Sequence, residues 1–187
     1  MSTEPLAQAI ASTRAVLVAV KADQLTGPTP CASWDVSGLI NHIVGGQHFF
    51  ATLARGEALG GGDAPNFAEG DYVAAFDQGA AASVEAFAAD GVMDKILHLP
   101  FGDMPGSAFV GLAAVDTFAH GWDLAKATGQ PTDLSPGLAA GLLMGARQGI
   151  SEGFRGADTV APFGPETTAP DGASNADKLA AFLGRTV

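Results

Sequence analysis

The sequence predicts an all-α fold, a single-domain bundle of helices. Apolar residues recur at three- and four-residue spacing through successive stretches, and glycine and proline punctuate the chain between them. One segment alone, around residues 96–105, reads as extended.

The first helix is expected from Pro5, just after Ser2 and Thr3, through Leu6, Ile10, Leu17 and Val20 to about Leu25. Gly27-Pro28-Thr29-Pro30 stops it. Asp35 suits the cap of a second helix that carries Val36, Leu39, Ile40, Ile43, Val44, Phe50 and Leu53 and ends near Gly56. A loop over Gly60 to Asn66 leads to a third helix with Tyr72, Val73, Phe76, Val84 and Phe87, ending around Gly91. The stretch Ile96 to Pro105 reads as an extended piece with turns, a small β excursion at most and not a sheet. A fourth helix follows from about Gly106 to Thr128, where Gly129 ends it and Pro131 forbids continuation. Ser135-Pro136 has the form of a cap and first-turn proline for a fifth helix to Ile150, and Ser174 caps a short last helix with Leu179, Phe182 and Leu183.

Composition bounds the function. With 187 residues, 47% hydrophobic and 16% charged, the chain is expected to form one domain over residues 1–187. Its formal charge of −11 disfavours nucleic acid and anionic lipid surfaces as partners. The single cysteine, Cys31, excludes an intrachain disulfide, and the absence of a signal-peptide pattern or a long uncharged apolar run points to a cytoplasmic protein.

The chemistry-bearing residues concentrate on the fourth helix. Asp116 and His120 stand four apart and Asp123 follows one turn on, so all three share a face with Phe109 and Ala113. A carboxylate and an imidazole at this spacing suit a divalent cation, above all zinc. The same spacing also suits a surface ion pair or a core histidine bonded to a carbonyl. His42 lies beside the apolar stripe of the second helix, with Gly45 and Gly46 leaving space, and supplies a third ligand from a facing helix. Asp123 is either an acceptor for a ligating imidazole or a helix-end charge. Trp34 and Trp122 are pocket walls or core. His48 and His98 are read as packing or surface residues, and Cys31 as a small buried hydrophobe. Arg14, Arg147 and Arg155 can meet substrate carboxylates, although surface solvation is the simpler role.

Two segments carry a resemblance: Thr29-Pro30-Cys31-Ala32-Ser33-Trp34-Asp35-Val36 leading to Leu39-Ile40-Asn41-His42, and Asp116-Thr117-Phe118-Ala119-His120-Gly121-Trp122-Asp123. They resemble the actinobacterial metal-binding proteins related to the amino-terminal domain of mycothiol-dependent maleylpyruvate isomerase, in the DinB/YfiT-like superfamily. Phe163-Gly164-Pro165-Glu166 and Leu179 to Arg185 resemble the ending of this group. The resemblance implies a DinB/YfiT four-helix bundle with a metal at its core, His42 and His120 as ligands, and Asp116 where the isomerase has glutamate. It further implies a mycothiol-type thiol cosubstrate and transferase or isomerase chemistry on small electrophiles, with zinc, nickel or another divalent ion bound. A metal-dependent hydrolase and a non-catalytic metal- or small-molecule-binding protein are the alternatives, and a homodimer is compatible with the sequence.

Overall fold

The computed structural model describes residues 2–61, 65–157 and 160–187, so Gly62, Asp63 and Ala64 of the expected glycine-rich loop lie outside it. The helices are α1 (Glu4–Val18), α2 (Val36–Ala54), α3 (Tyr72–Ala88), α4 (Gly106–Ala127), α5 (Pro136–Gly149) and α6 (Asn175–Phe182). Helices α1 to α4 form the four-helix bundle, with α1 packed along α4, α2 along α3, and the two pairs joined through α2 against α4 and α1 against α3. Helices α5 and α6 pack on each other and on the outer side of α4.

Because neighbours surround it, α4 is buried almost all round in its second half, where every residue from Thr117 to Ala125 is buried. Phe87, Phe109, Phe118 and Trp122 fill one part of the core, and Leu17, Leu39, Ile40, Phe76 and Leu124 another. A buried polar chain crosses the bundle: Ser83 donates to Gln47, Gln47 donates to Thr117, and Thr13 donates to the Thr117 carbonyl. Each polar group is satisfied, so the chain fixes helix register without a desolvation penalty left over. Thr13 meets α4 at Gly121, where any Cβ would collide with the Thr13 hydroxyl.

The caps follow the sequence in part. The side chains of Asp35 and Ser174 accept from the backbone N–H groups of Gly38 and Asp177, and Gly56 and Gly129 take the left-handed conformation that ends α2 and α4. Ser135 stands at the N-cap of α5, but its side chain makes no capping bond and its φ is 37°.

One expectation needs correction. Helix α1 ends at Val18 rather than near Leu25, and Ala22–Gln24 form a separate 3₁₀ turn. The cause is tertiary: Gln24 accepts from the Lys21 backbone and donates to the Thr128 carbonyl, anchoring this segment to the end of α4. The extended segment forms the small β excursion that the sequence allows, a two-stranded antiparallel sheet of β1 (Ile96–Leu99) with β2 (Gly102–Pro105), in register Ile96 to Pro105 and His98 to Asp103. Leu97 and Leu99 alternate inward on β1, which anchors the hairpin on the core. Among the described residues, no helix is long and apolar enough to cross a membrane.

Candidate metal centre

Three elements converge: α2, α4 and the loop before α2. The loop is closed by Val36 N–H donating to Gly27 and by an antiparallel bridge between Pro28 and Asp35. Inside it the Thr29 hydroxyl donates toward the carbonyls of Cys31 and Trp34 and accepts from the Cys31 N–H. That hub sets Cys31 and Trp34 against the ends of α2 and α4.

His42 from α2 faces Asp116 and His120 from α4. The Nε2 of His120 lies 3.5 Å from Asp116 Oδ1, and the Nε2 of His42 lies 3.8 Å from the same oxygen. One ligand atom from each residue falls within 4.8 Å of the others. A tetrahedral zinc ion with ligands at about 2.0–2.1 Å sets its donor atoms roughly 3.3 Å apart, so small rotations bring these three onto one ion. His42 Nε2 supplies the independent test of fit: it is buried and has no hydrogen-bond partner among the described residues. A buried nitrogen without a partner is costly unless something completes it. Gly46, one turn beyond His42, keeps the space beside Asp116 open, whereas Gly45 faces Phe67.

Trp34 stacks on the His42 ring at 4.4 Å between centroids and meets His120 edge-on at 5.7 Å, while His42 and His120 meet edge-on at 4.5 Å. Trp34 is thus a wall of the site. Trp122 points the other way, into the core, where its indole donates to Asp177.

Asp123 is the imidazole's acceptor and not a helix-end charge. Its side chain is fully buried, and Oδ2 lies 3.1 Å from His120 Nδ1. The same oxygen accepts from Cys31 Sγ at 3.3 Å and from Arg185 Nη2 at 2.9 Å. A carboxylate on Nδ1 turns Nε2 of His120 toward Asp116 and His42, as the outer partner of a ligating histidine does. Cys31, His120 and Asp123 form a second group with metal-ligand spacing. There, however, the Asp123 carboxylate already satisfies three donors, Cys31, His120 and the Arg185 guanidinium.

Electrostatics follow from this packing. Burial pushes the Asp116 carboxyl up, but the His120 and His42 imidazoles outweigh it and hold the group well below the ordinary carboxylate range. Burial would lower His120, yet Asp116, Asp123 and the Cys31 sulfur raise it well above an ordinary histidine. Asp123 is drawn down to about 2 against its own burial, by His120 and Arg185.

The remaining candidates fall elsewhere. His48 stacks on Phe67, and His98 pairs with Asp103 across the hairpin. Arg14 pairs with Asp77 and Arg147 with Glu166. Arg155 is not a solvated surface residue: it is buried, donates to the carbonyls of Gly164 and Phe182, and lies over the Phe182 ring. Cys31 is half-buried and hydrogen-bonded, not an inert hydrophobe. Arg185 is the residue that sequence reasoning missed as a member of the site, because its 62-residue separation from Asp123 leaves no local signal.

Fold and site define a class, helical bundles in which imidazoles and a carboxylate from two facing helices converge. The chain belongs to the mycothiol maleylpyruvate isomerase N-terminal domain family, whose model matches residues 6–125. It is also similar to uncharacterized proteins of two Mycobacterium tuberculosis strains, CDC 1551 / Oshkosh and ATCC 25618 / H37Rv. Each is 45% identical over 173 residues, which span 92% of this chain and 91% of the relative. No solved structure matches the chain significantly.

Proposed function

We propose that this chain, as a single cytoplasmic domain, holds one divalent metal ion through His42, Asp116 and His120 and works with a low-molecular-weight thiol of the mycothiol type. The ion is zinc foremost, with nickel or another divalent ion as the alternative. The reaction is transfer or isomerisation on a small electrophile. In transfer the thiol S–H bond breaks and an S–C bond forms, while either the bond from that carbon to its leaving group breaks and the group departs with the electron pair and the proton, or a C=C bond opens and its π electrons take the proton; in isomerisation the S–C bond forms and breaks again and the thiol is regenerated. The observation that carries the reading is the buried Nε2 of His42, which has no hydrogen-bond partner among the described residues and faces the Asp116–His120 pair. The mycothiol in the name of the family supports the choice of thiol.

When bound, the ion would act as a Lewis acid that favours the thiolate form of a coordinated thiol. The rest falls to the chain's own residues. Asp116 is ionised throughout the neutral range and contributes the negative charge. Asp123 holds Nδ1 of His120 and so presents Nε2. Trp34 covers one face of His42 and keeps water from it. The hydrolytic alternative needs a free carboxylate as base, and Asp123 is engaged by three donors and has no exposed surface.

Metal analysis of tag-free protein beside a His120→Ala variant tests the first half: about one equivalent of metal in the wild type and none in the variant is expected. Metal-free wild type would sink the reading. Incubation of the metal-loaded protein with mycothiol and a panel of electrophiles, followed by mass spectrometry, tests the second. Conjugates or isomerised product are expected, and neither would appear if the metal were structural only.

A further inference from the structure

We propose that Arg185, from the segment after α6, is a positioning residue of the metal centre, acting through Asp123 on the ring of His120. The inference rests on the metal reading above. Arg185 spans both carboxylate oxygens of Asp123, with Nε 3.2 Å from Oδ1 and Nη2 2.9 Å from Oδ2. A fork of this kind fixes the carboxylate plane as well as its position. Asp123 Oδ2 then meets His120 Nδ1 at 3.1 Å, so the direction of His120 Nε2 depends on where the guanidinium holds the carboxylate.

The backbone that carries Arg185 is itself locked. Its N–H donates to Ala180, its carbonyl accepts from the Thr167 hydroxyl, and its Nη1 donates to Leu183. Just before it, Gly184 has φ +95° and crosses Gly164 so closely that a Cβ at 184 would stand 2.5 Å from the Gly164 Cα. No larger residue permits that crossing. The side chain is 12% exposed, and its position is over-determined by contacts from α6 and from the 164–167 segment. The family match ends at residue 125, so this support for the site comes from outside it.

Two effects of Arg185 on a bound cation oppose each other, and their sign decides the matter. A guanidinium near the site repels a cation, so if charge were its whole influence, removing it would tighten metal binding. If it positions Asp123 and His120, removing it weakens binding, because loss of outer partners of ligating histidines costs about 10–100-fold in affinity.

The experiment measures Zn²⁺ affinity of the full chain by competition with a chromophoric chelator, and the visible spectrum of the Co²⁺-loaded protein. Arg185→Gln is expected to weaken Zn²⁺ about tenfold and to alter the Co²⁺ bands, and Arg185→Lys, which keeps the charge but not the fork, to lose roughly threefold. In an Asp123→Asn background Arg185→Gln should change affinity less than about twofold, since the path through Asp123 is already cut. A surface control, Arg14→Gln, should leave both readouts unchanged. Unchanged or tighter Zn²⁺ binding by Arg185→Gln, in a protein whose His120→Ala variant loses the metal, overturns this inference alone. A full tenfold loss on top of Asp123→Asn overturns it too. If Arg185→Gln does not fold, Arg185→Lys decides, and wild-type affinity with a wild-type Co²⁺ spectrum there is the refuting result. Wild-type protein that binds no Zn²⁺ overturns the metal reading itself and this inference with it.

Discussion

Asp123→Asn in the metal-free protein should cost about 3 kcal/mol of folding stability at neutral pH. The wild-type carboxyl titrates at about 2 against an ordinary 3.8, and that gap corresponds to about 2.5 kcal/mol of preference for the charged form in the folded state. Asparagine keeps the shape but removes the charge, leaving Arg185 without its counterion in a nearly closed environment, where breaking such a pair costs about 3–5 kcal/mol. For a chain of this size the change corresponds to a melting temperature lower by roughly 6–12 °C. The pH dependence has a defined sign. A depressed carboxyl stabilises above its unfolded value and loses that contribution as pH falls through its folded one. The gap between wild type and variant should therefore be full above about pH 4 and shrink toward pH 2, where protonated aspartate resembles asparagine. Urea unfolding followed by circular dichroism with chelator present measures it. A variant within about 0.5 kcal/mol of wild type at pH 7, or a gap that does not narrow in acid, would refute the argument that Asp123 is a buried, charge-paired anchor.

Metal uptake should release close to one proton near neutral pH, because the paired, metal-free His120 is held well above an ordinary histidine and must lose a proton to ligate. Affinity should accordingly rise about tenfold per pH unit and level off once His120 is neutral, and a pH-independent affinity measured by chelator competition would contradict this. His42→Ala should abolish stoichiometric Zn²⁺ binding while Cys31→Ser changes it less than about threefold; the reverse order would favour the Cys31, His120 and Asp123 group instead. Gly121→Ala should destabilise by about 2–3 kcal/mol through its clash with Thr13, and Thr13→Ala should restore part of that loss. Thermal melts of the two single variants and the double variant test it, and simple additivity would be inconsistent with a shared contact.

Helix positions and the grouping of Asp116 and His120 in the candidate site were legible because their causes are local. The period of apolar residues in α2, α3 and α4 is written within each helix, as are the caps at Asp35 and Ser174. Asp116 and His120 were legible as a pair for the same reason: a separation of four places them together whatever the rest of the chain does. His42 needed one further assumption, that the apolar stripe beside it faces α4.

What the tertiary structure decided depends on contacts between distant segments. Helix α1 stops at Val18 because Gln24 bonds the end of α4, 104 residues away, and no local residue announces that. Residues 96–105 became a paired hairpin once Leu97 and Leu99 found the core. Asp123 had two readings along α4, and the arrival of Cys31 from the loop before α2 and Arg185 from the last segment settled it as a buried anchor behind His120. A helix's own spacing shows which side chains share a face, but a buried charge acquires its role from the counterion that the fold delivers. For Asp123 that counterion lies 62 residues further along the chain.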